Sequence, residues 1–152
     1  MNNSFSLYQV DAFTARIFAG NPACVVPLSE WLDDAVLLSI AQENAVAETA
    51  FFVPVGERYH LRWFTPDIEM DLCGHATLAA AHVLLHHLDP ERARVEFESQ
   101  SGLLSVERSE HGYTMELPIR SPEPHPLPTA IADSLSEAPL DRKSTRLNSS
   151  HQ

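Results

Sequence analysis

The sequence has a single lysine, Lys143, and only two cysteines, Cys24 and Cys73. Two cysteines are too few for a disulfide scaffold, and they form no CxxC pair for zinc. No apolar run approaches the roughly 20 residues that cross a bilayer, and the N-terminus lacks the basic and apolar segments of a signal peptide. A formal net charge of −11 argues against nucleic-acid binding. These absences predict a cytoplasmic globular protein with no nucleic-acid or membrane partner.

The end of the chain differs in composition from the rest. Every basic residue before position 141 is Arg, whereas residues 141–152 bring in Lys143 together with Arg142 and Arg146. Read back through the genetic code, residues 141–152 resemble a short-read sequencing adapter. We therefore expect an artefact here rather than a natural basic tail, and we leave these residues out of the fold prediction. Without them the formal charge becomes −13, because three basic residues and one acidic residue are removed.

Length and composition predict one N-terminal domain over residues 1–120. A run rich in proline follows, and it is typical of a semi-rigid connector. We predict that residues 121–140 are this linker and the start of a truncated second domain, with a helix over Ala130–Leu135.

Alternating apolar residues and turn residues predict several strands and two helices. The first helix is amphipathic, over Glu30–Glu43 with Ser29 as its N-cap. The second, over His75–Leu88, is apolar on nearly every side, and such helices are buried. The chain is therefore predicted to be α+β, with a curved mixed β-sheet wrapped around a central helix. The predicted strands are Leu7–Phe13, Cys24–Leu28, Thr49–Val53, Tyr59–Phe64, Arg94–Gln100, Leu103–Arg108 and Tyr113–Ile119.

The start of the apolar helix is the best candidate for a functional site. Cys73, Gly74 and His75 lie where a short strand runs into this helix. The first turn of a helix has unpaired N–H groups and the positive end of the dipole, and Gly74 has no side chain to block a ligand. We expect an anionic substrate there. A thiolate is also stabilised at a helix N-terminus, so Cys73 is a candidate reactive residue, whereas Cys24 lies in an apolar run typical of the core.

Three motifs in order carry a resemblance to a known family. They are Gly-Asn-Pro-Ala at 20–23, Glu-Thr-Ala-Phe at 48–51 and Cys-Gly-His-Ala-Thr at 73–77. They resemble successive signatures of the PhzF-like phenazine-biosynthesis family, which is related to diaminopimelate epimerases, and the resemblance covers residues 6–128. It implies a barrel-like sheet around a central helix in each of two domains, with the active site in the cleft between them. This chain would contain only the first domain.

The resemblance also implies roles for particular residues. Glu48 would be the proton-transferring acid/base, Gly74 and His75 would form the pocket and orient the substrate, and Asn21 would shape a loop bordering the cleft. It implies an isomerase that acts on a small carboxylate-bearing substrate without a metal or organic cofactor. The partner acid would come from the second domain, so the chain alone is expected to be inactive. An uncovered domain face would favour self-association, including a homodimer.

Other interpretations of these residues stay open. Without the family resemblance, Glu48 would be predicted to be a solvated carboxylate at the start of a strand. Cys73 occupies the place of one thiol of the pair used by the related epimerases, so it is the alternative catalytic residue, although His75 favours the PhzF-like branch. A non-enzymatic small-acid binding module is also open. His82 and His86 share a helical face, but without an adjacent Glu or an evident third ligand they are not predicted to bind a metal.

Overall fold

A single mixed sheet dominates the structure, a computed structural model that describes residues 4–119, 126 and 128–135. Its strands pair in the order β1-β2-β3-β4-β6-β7-β8, and β5 pairs with β4 beside β6. The β2–β3 and β4–β6 pairs are parallel and the others are antiparallel. The strands are β1 Tyr8–Ala12, β2 Asn21–Pro27, β3 Glu48–Val55, β4 Arg58–Phe64, β5 Glu69–Met70, β6 Arg94–Ser99, β7 Gly102–Ser109 and β8 Gly112–Glu116.

The central helix is α2, Gly74–Val83, and a π-helical turn over Leu84–Leu88 continues it. Its four alanines inside the core are at most 1% exposed, and they pack against residues from β1 to β8. Small side chains allow the sheet to approach the helix closely on several sides, so the sheet curves around α2. The predicted α+β fold with a buried apolar helix is confirmed. The alanines are Ala76, Ala79, Ala80 and Ala81.

The opposite face of the sheet is covered by α1, Asp34–Asn44, through a smaller apolar cluster that includes Leu37 and Ala41. The predicted start of this helix at Glu30, capped by Ser29, is wrong. The observed N-cap is Asp33, and the Trp31 indole N–H donates to His60 Nδ1 at 3.2 Å. This contact with β4 holds the preceding segment outside the helix.

Other element boundaries differ by a few residues from the predicted ones. The predicted strands Thr49–Val53 and Tyr59–Phe64 are confirmed as parts of β3 and β4, which pair as an antiparallel hairpin. Asn21, predicted in a loop, is instead the first residue of β2. The short strand predicted just before the apolar helix is β5, which has only two residues. The last predicted strand, Tyr113–Ile119, ends earlier, at Glu116.

Backbone contacts divide the chain into two units, with the boundary between Pro118 and Ile119. The described element of the second unit is α3, Thr129–Ser134. Most of the predicted linker and all of the predicted artefact at 141–152 lie outside the described residues. Within the described residues, no helix has the length and apolar character needed to cross a membrane.

Candidate active site

Three side chains from two of the predicted motifs meet at the start of α2. His75 Nε2 lies 3.2 Å from Glu48 Oε2, and His75 Nδ1 lies 3.5 Å from Cys73 Sγ. The side chains of His75 and Glu48 are 9% and 17% exposed. The Nε2 and Oε2 atoms are buried, and within the part of the chain that the structure describes neither makes a well-aligned hydrogen bond, so the hydrogen-bonding capacity of both atoms is not fully used. The site therefore has polar atoms available for a further group.

Sheet register places Glu48 beside the first motif. Glu48 is the first residue of β3, and it pairs in parallel with Ala23 of β2. Asn21 lies two residues before Ala23, so side-chain alternation puts it on the same face of the sheet as Glu48. Gly20, which precedes Asn21, has a φ of +86°, and a Cβ there would lie 2.4 Å from the carbonyl oxygen of Ala12. Glycine is thus required for the turn that leads into Asn21.

Cys73 is the N-cap residue of α2 and has an extended backbone. The Thr77 hydroxyl donates to the Cys73 carbonyl at 2.6 Å, which fixes the first turn. Burial raises the pKa of the Cys73 thiol to about 11, and the negative charge of Glu48 adds to this. The N–H groups of Ala76 and His75 oppose the shift but are outweighed. The expectation that the helix N-terminus stabilises a Cys73 thiolate is therefore not met.

We expect Cys73 to resist alkylation at neutral pH. The pKa of about 11, against an ordinary value of 9.0, lowers the thiolate fraction at pH 8 by about a hundredfold. Iodoacetamide labelling followed by mass spectrometry should show slow modification of the native chain, with the rate rising up to about pH 11. The chain in urea is the control and should label quickly at both cysteines. Fast labelling of native Cys73 at pH 8 would show a stabilised thiolate instead.

Gly74 lies beside β8 rather than in a crowded position. A Cβ at Gly74 would lie 3.8 Å from Met115 Cε, which is an ordinary contact. The fold of the described residues therefore leaves room for a side chain there. Met115 was not among the predicted site residues, although its alternation with Tyr113 on β8 already places both on the partly buried face.

The site brings together a carboxylate, a thiol and an imidazole, which are side-chain groups that can bind transition metals. One donor atom each from Glu48, Cys73 and His75 lies within 4.8 Å of the others. The imidazole, however, lies between the other two groups, with a different ring nitrogen near each. This arrangement suits a bridging imidazole better than three ligands around one ion.

His82 and His86 lie near the far end of α2. Their ring centroids are 4.5 Å apart, and His82 Nδ1 is 2.9 Å from the Tyr113 hydroxyl. Burial lowers the pKa of His82, and the neighbouring His86 and His87 add to this. Among the described residues, no group of three metal-binding side chains includes this pair.

The family of the chain follows from its similarity to known proteins. A family model described as phenazine biosynthesis-like protein, PhzC-PhzF, matches residues 10–146. The chain belongs to this family. An uncharacterised isomerase of Pseudomonas aeruginosa is 49% identical over 133 residues, which cover 88% of this chain and 51% of the relative. The chain thus spans about half the length of the curated relatives it matches.

Solved structures agree with the family assignment. A crystal structure of a PhzF-family phenazine biosynthesis protein from Enterococcus faecalis has a TM-score of 0.77 and 46% identity, over 88% of this chain and 51% of that one. A hydroxyproline epimerase from Agrobacterium vitis has a TM-score of 0.52 and 12% identity, over 73% of this chain and 40% of that one. The second likeness concerns the fold alone, and it confirms the predicted epimerase-like architecture of this PhzF-family chain.

Proposed function

We propose that the chain forms half of the active site of a PhzF-like isomerase that moves a proton within a small carboxylate-bearing substrate. Glu48 is the acid/base in this proposal, and Asn21, Gly74 and His75 bind the substrate. The observation that carries it is the Glu48–His75 approach of 3.2 Å at the first turn of α2. The isomerase names of relatives such as the one from P. aeruginosa support the reaction class.

Glu48 has the surroundings that proton transfer needs. Its side chain is 17% exposed, so it is largely shielded from water but not completely enclosed. One carboxyl group can remove a proton from carbon and return it at another position, without an organic cofactor or a metal. The N–H groups at the start of α2 supply positive potential for the substrate carboxylate.

Cys73 is the weaker candidate for the base. A thiol whose pKa is raised to about 11 is protonated at neutral pH, so it is poorly prepared to remove a proton. This favours the Glu48 mechanism over a thiol-based epimerase. Cys73 lies beside His75 and can act through it.

The proposed active site also needs catalytic and substrate-binding groups from outside this chain. Because the chain covers 51% of its P. aeruginosa relative, we propose that a second domain in cis supplies the partner acid and the other wall of the cleft. The 152-residue chain alone is then expected to be inactive, and its uncovered face could support a homodimer.

Deuterium incorporation tests the proposed reaction. The product of the complete gene is incubated in D₂O with a panel of small amino, hydroxy and unsaturated carboxylic acids, and carbon-bound deuterium is measured by NMR. Enzyme-dependent incorporation into one of them supports the isomerase. Saturable ligand binding without incorporation would indicate a non-enzymatic binding module and would contradict the proposal. Turnover by the 152-residue chain alone would contradict the need for a second domain.

Replacing Gly74 separates substrate binding from structure. Because, among the described residues, the added Cβ of Gly74→Ala meets Met115 alone, at 3.8 Å, the melting temperature should not fall. If the substrate approaches the α2 amides, the methyl group obstructs it, and we expect KM to rise about tenfold or more, about 1.4 kcal/mol. Thermal unfolding and steady-state kinetics measure the two effects. An unchanged KM would remove Gly74 from the proposed binding site.

A further inference from the structure

We propose that Cys73 is a positioning residue whose thiol favours one tautomer of His75, the one with its hydrogen on Nε2, the ring nitrogen that lies 3.2 Å from the Glu48 carboxylate. The tautomer itself follows from contacts within this chain. Its catalytic consequence rests on the function proposed above.

The geometry connects the three groups through one imidazole ring. Cys73 Sγ is 3.5 Å from Nδ1, within hydrogen-bond reach for sulfur, and Glu48 Oε2 is 3.2 Å from Nε2 on the other side of the ring. All three side chains are largely buried, so water contributes little to which nitrogen is protonated. A neutral imidazole has one N–H donor and one acceptor nitrogen. A donor beside one nitrogen therefore places the hydrogen on the other nitrogen.

The surroundings of the sulfur identify it as the donor. Burial of the sulfur raises the pKa of the thiol and outweighs the backbone N–H groups of Ala76 and His75, which lower it. The thiol keeps its hydrogen at neutral pH because its pKa is about 11. That hydrogen is left to donate to Nδ1.

The proton count then determines the Glu48 side of the ring. With Nδ1 accepting from the thiol, neutral His75 carries its hydrogen on Nε2. The N–H dipole then lies close to the Glu48 oxygen and is attracted to it, although the pair does not form a well-aligned hydrogen bond. With the opposite tautomer, the Nε2 lone pair would lie 3.2 Å from the carboxylate oxygen, and the two would repel. The thiol therefore helps to hold the Glu48 carboxylate at the N-terminus of α2, where the substrate is proposed to bind.

The tautomer is measurable without any substrate. Long-range ¹H–¹⁵N spectra of the full 152-residue chain, labelled at histidine, distinguish protonated from unprotonated ring nitrogens, and His75→Gln assigns the signal. We expect His75 to carry its proton on Nε2 in the native chain and in Cys73→Ser, since a serine hydroxyl also donates. Cys73→Ala should shift the population toward Nδ1–H. Cys24→Ala, which removes the other buried cysteine, is the matched control and should change nothing.

Two spectroscopic results would overturn the inference. One is a native His75 with its proton on Nδ1, and the other is an unaltered tautomer in Cys73→Ala. If Cys73→Ala does not fold, Cys73→Val takes its place, since it also lacks a donor but is closer to cysteine in size, and it must shift the population in the same direction.

Kinetics of the complete gene product test the consequence for catalysis. By analogy with partners that orient other functional histidines, Cys73→Ala should lower kcat about 10- to 100-fold with little change in KM, and Cys73→Ser should restore most of the loss. Equal loss in both variants would overturn the positioning role. If the native enzyme exchanges no proton with any substrate, the proposed function fails, while the His75 tautomer is still decided by the spectra.

Discussion

Glu48→Gln is expected to lower the rate of deuterium exchange by the complete gene product by about 10²- to 10⁴-fold, the usual contribution of a positioned acid/base group. The amide keeps the size of the side chain but can neither take up nor return a proton. KM should change much less, because the α2 amides that bind the substrate carboxylate are untouched. The deuterium assay with a substrate identified from the panel measures both parameters.

The control for Glu48→Gln is Glu43→Gln, which changes an exposed carboxylate near the end of α1. Its activity should match that of the unmodified enzyme, because Glu43 is exposed to solvent and lies outside the site. The decisive comparison is with Cys73→Ser. If activity survives Glu48→Gln but is lost in Cys73→Ser, the thiol is the base and the assignment of Glu48 is wrong.

Trp63→Ala is expected to give the largest loss of stability, about 3–5 kcal/mol of unfolding free energy. Trp63 is 1% exposed on β4 and belongs to the core cluster that surrounds α2. Truncating it removes a large buried ring and leaves a cavity beside the helix that carries His75. Urea unfolding of the full chain, followed by circular dichroism, gives the free energy.

Trp63→Phe separates ring volume from hydrogen bonding at the same position. The indole N–H of Trp63 is buried and has no partner among the described residues, so replacing the indole with a phenyl ring removes an unsatisfied donor. We expect a loss below about 1.5 kcal/mol, because the smaller ring still fills most of the space. As a control, Trp31→Phe removes a real hydrogen bond to His60 and should lose about 1 kcal/mol. A loss in Trp63→Phe as large as in Trp63→Ala would indicate that the indole N–H is satisfied.

The sequence was most informative where short-range patterns determine structure. Apolar residues on nearly every side of α2 predicted a buried helix, because a helix without a polar face must be covered on all sides. Turn residues between two apolar runs predicted the separate strands β3 and β4 for an equally local reason. The order of the three motifs was sufficient to predict the family that the comparisons confirm.

Prediction failed where a distant contact competed with a local preference. The segment before α1 has acceptable helix residues, yet Trp31 docks on His60 of β4, and the helix begins only at Asp34. Cys73 shows the same limit in its chemistry. A helix N-terminus lowers the pKa of a thiol, but burial and Glu48 reverse the direction, and neither effect is visible from neighbouring residues.

By itself, then, the sequence determined the α+β class, the buried helix, the family and the set of candidate residues that includes Glu48 and His75. Only the tertiary structure decided that those two side chains lie 3.2 Å apart, with the Cys73 thiol on the far side of the imidazole. The reason is physical: helix and strand periodicities act over a few residues. The distance between the start of β3 and the start of α2 is instead fixed by strand pairing and core packing across the whole sheet.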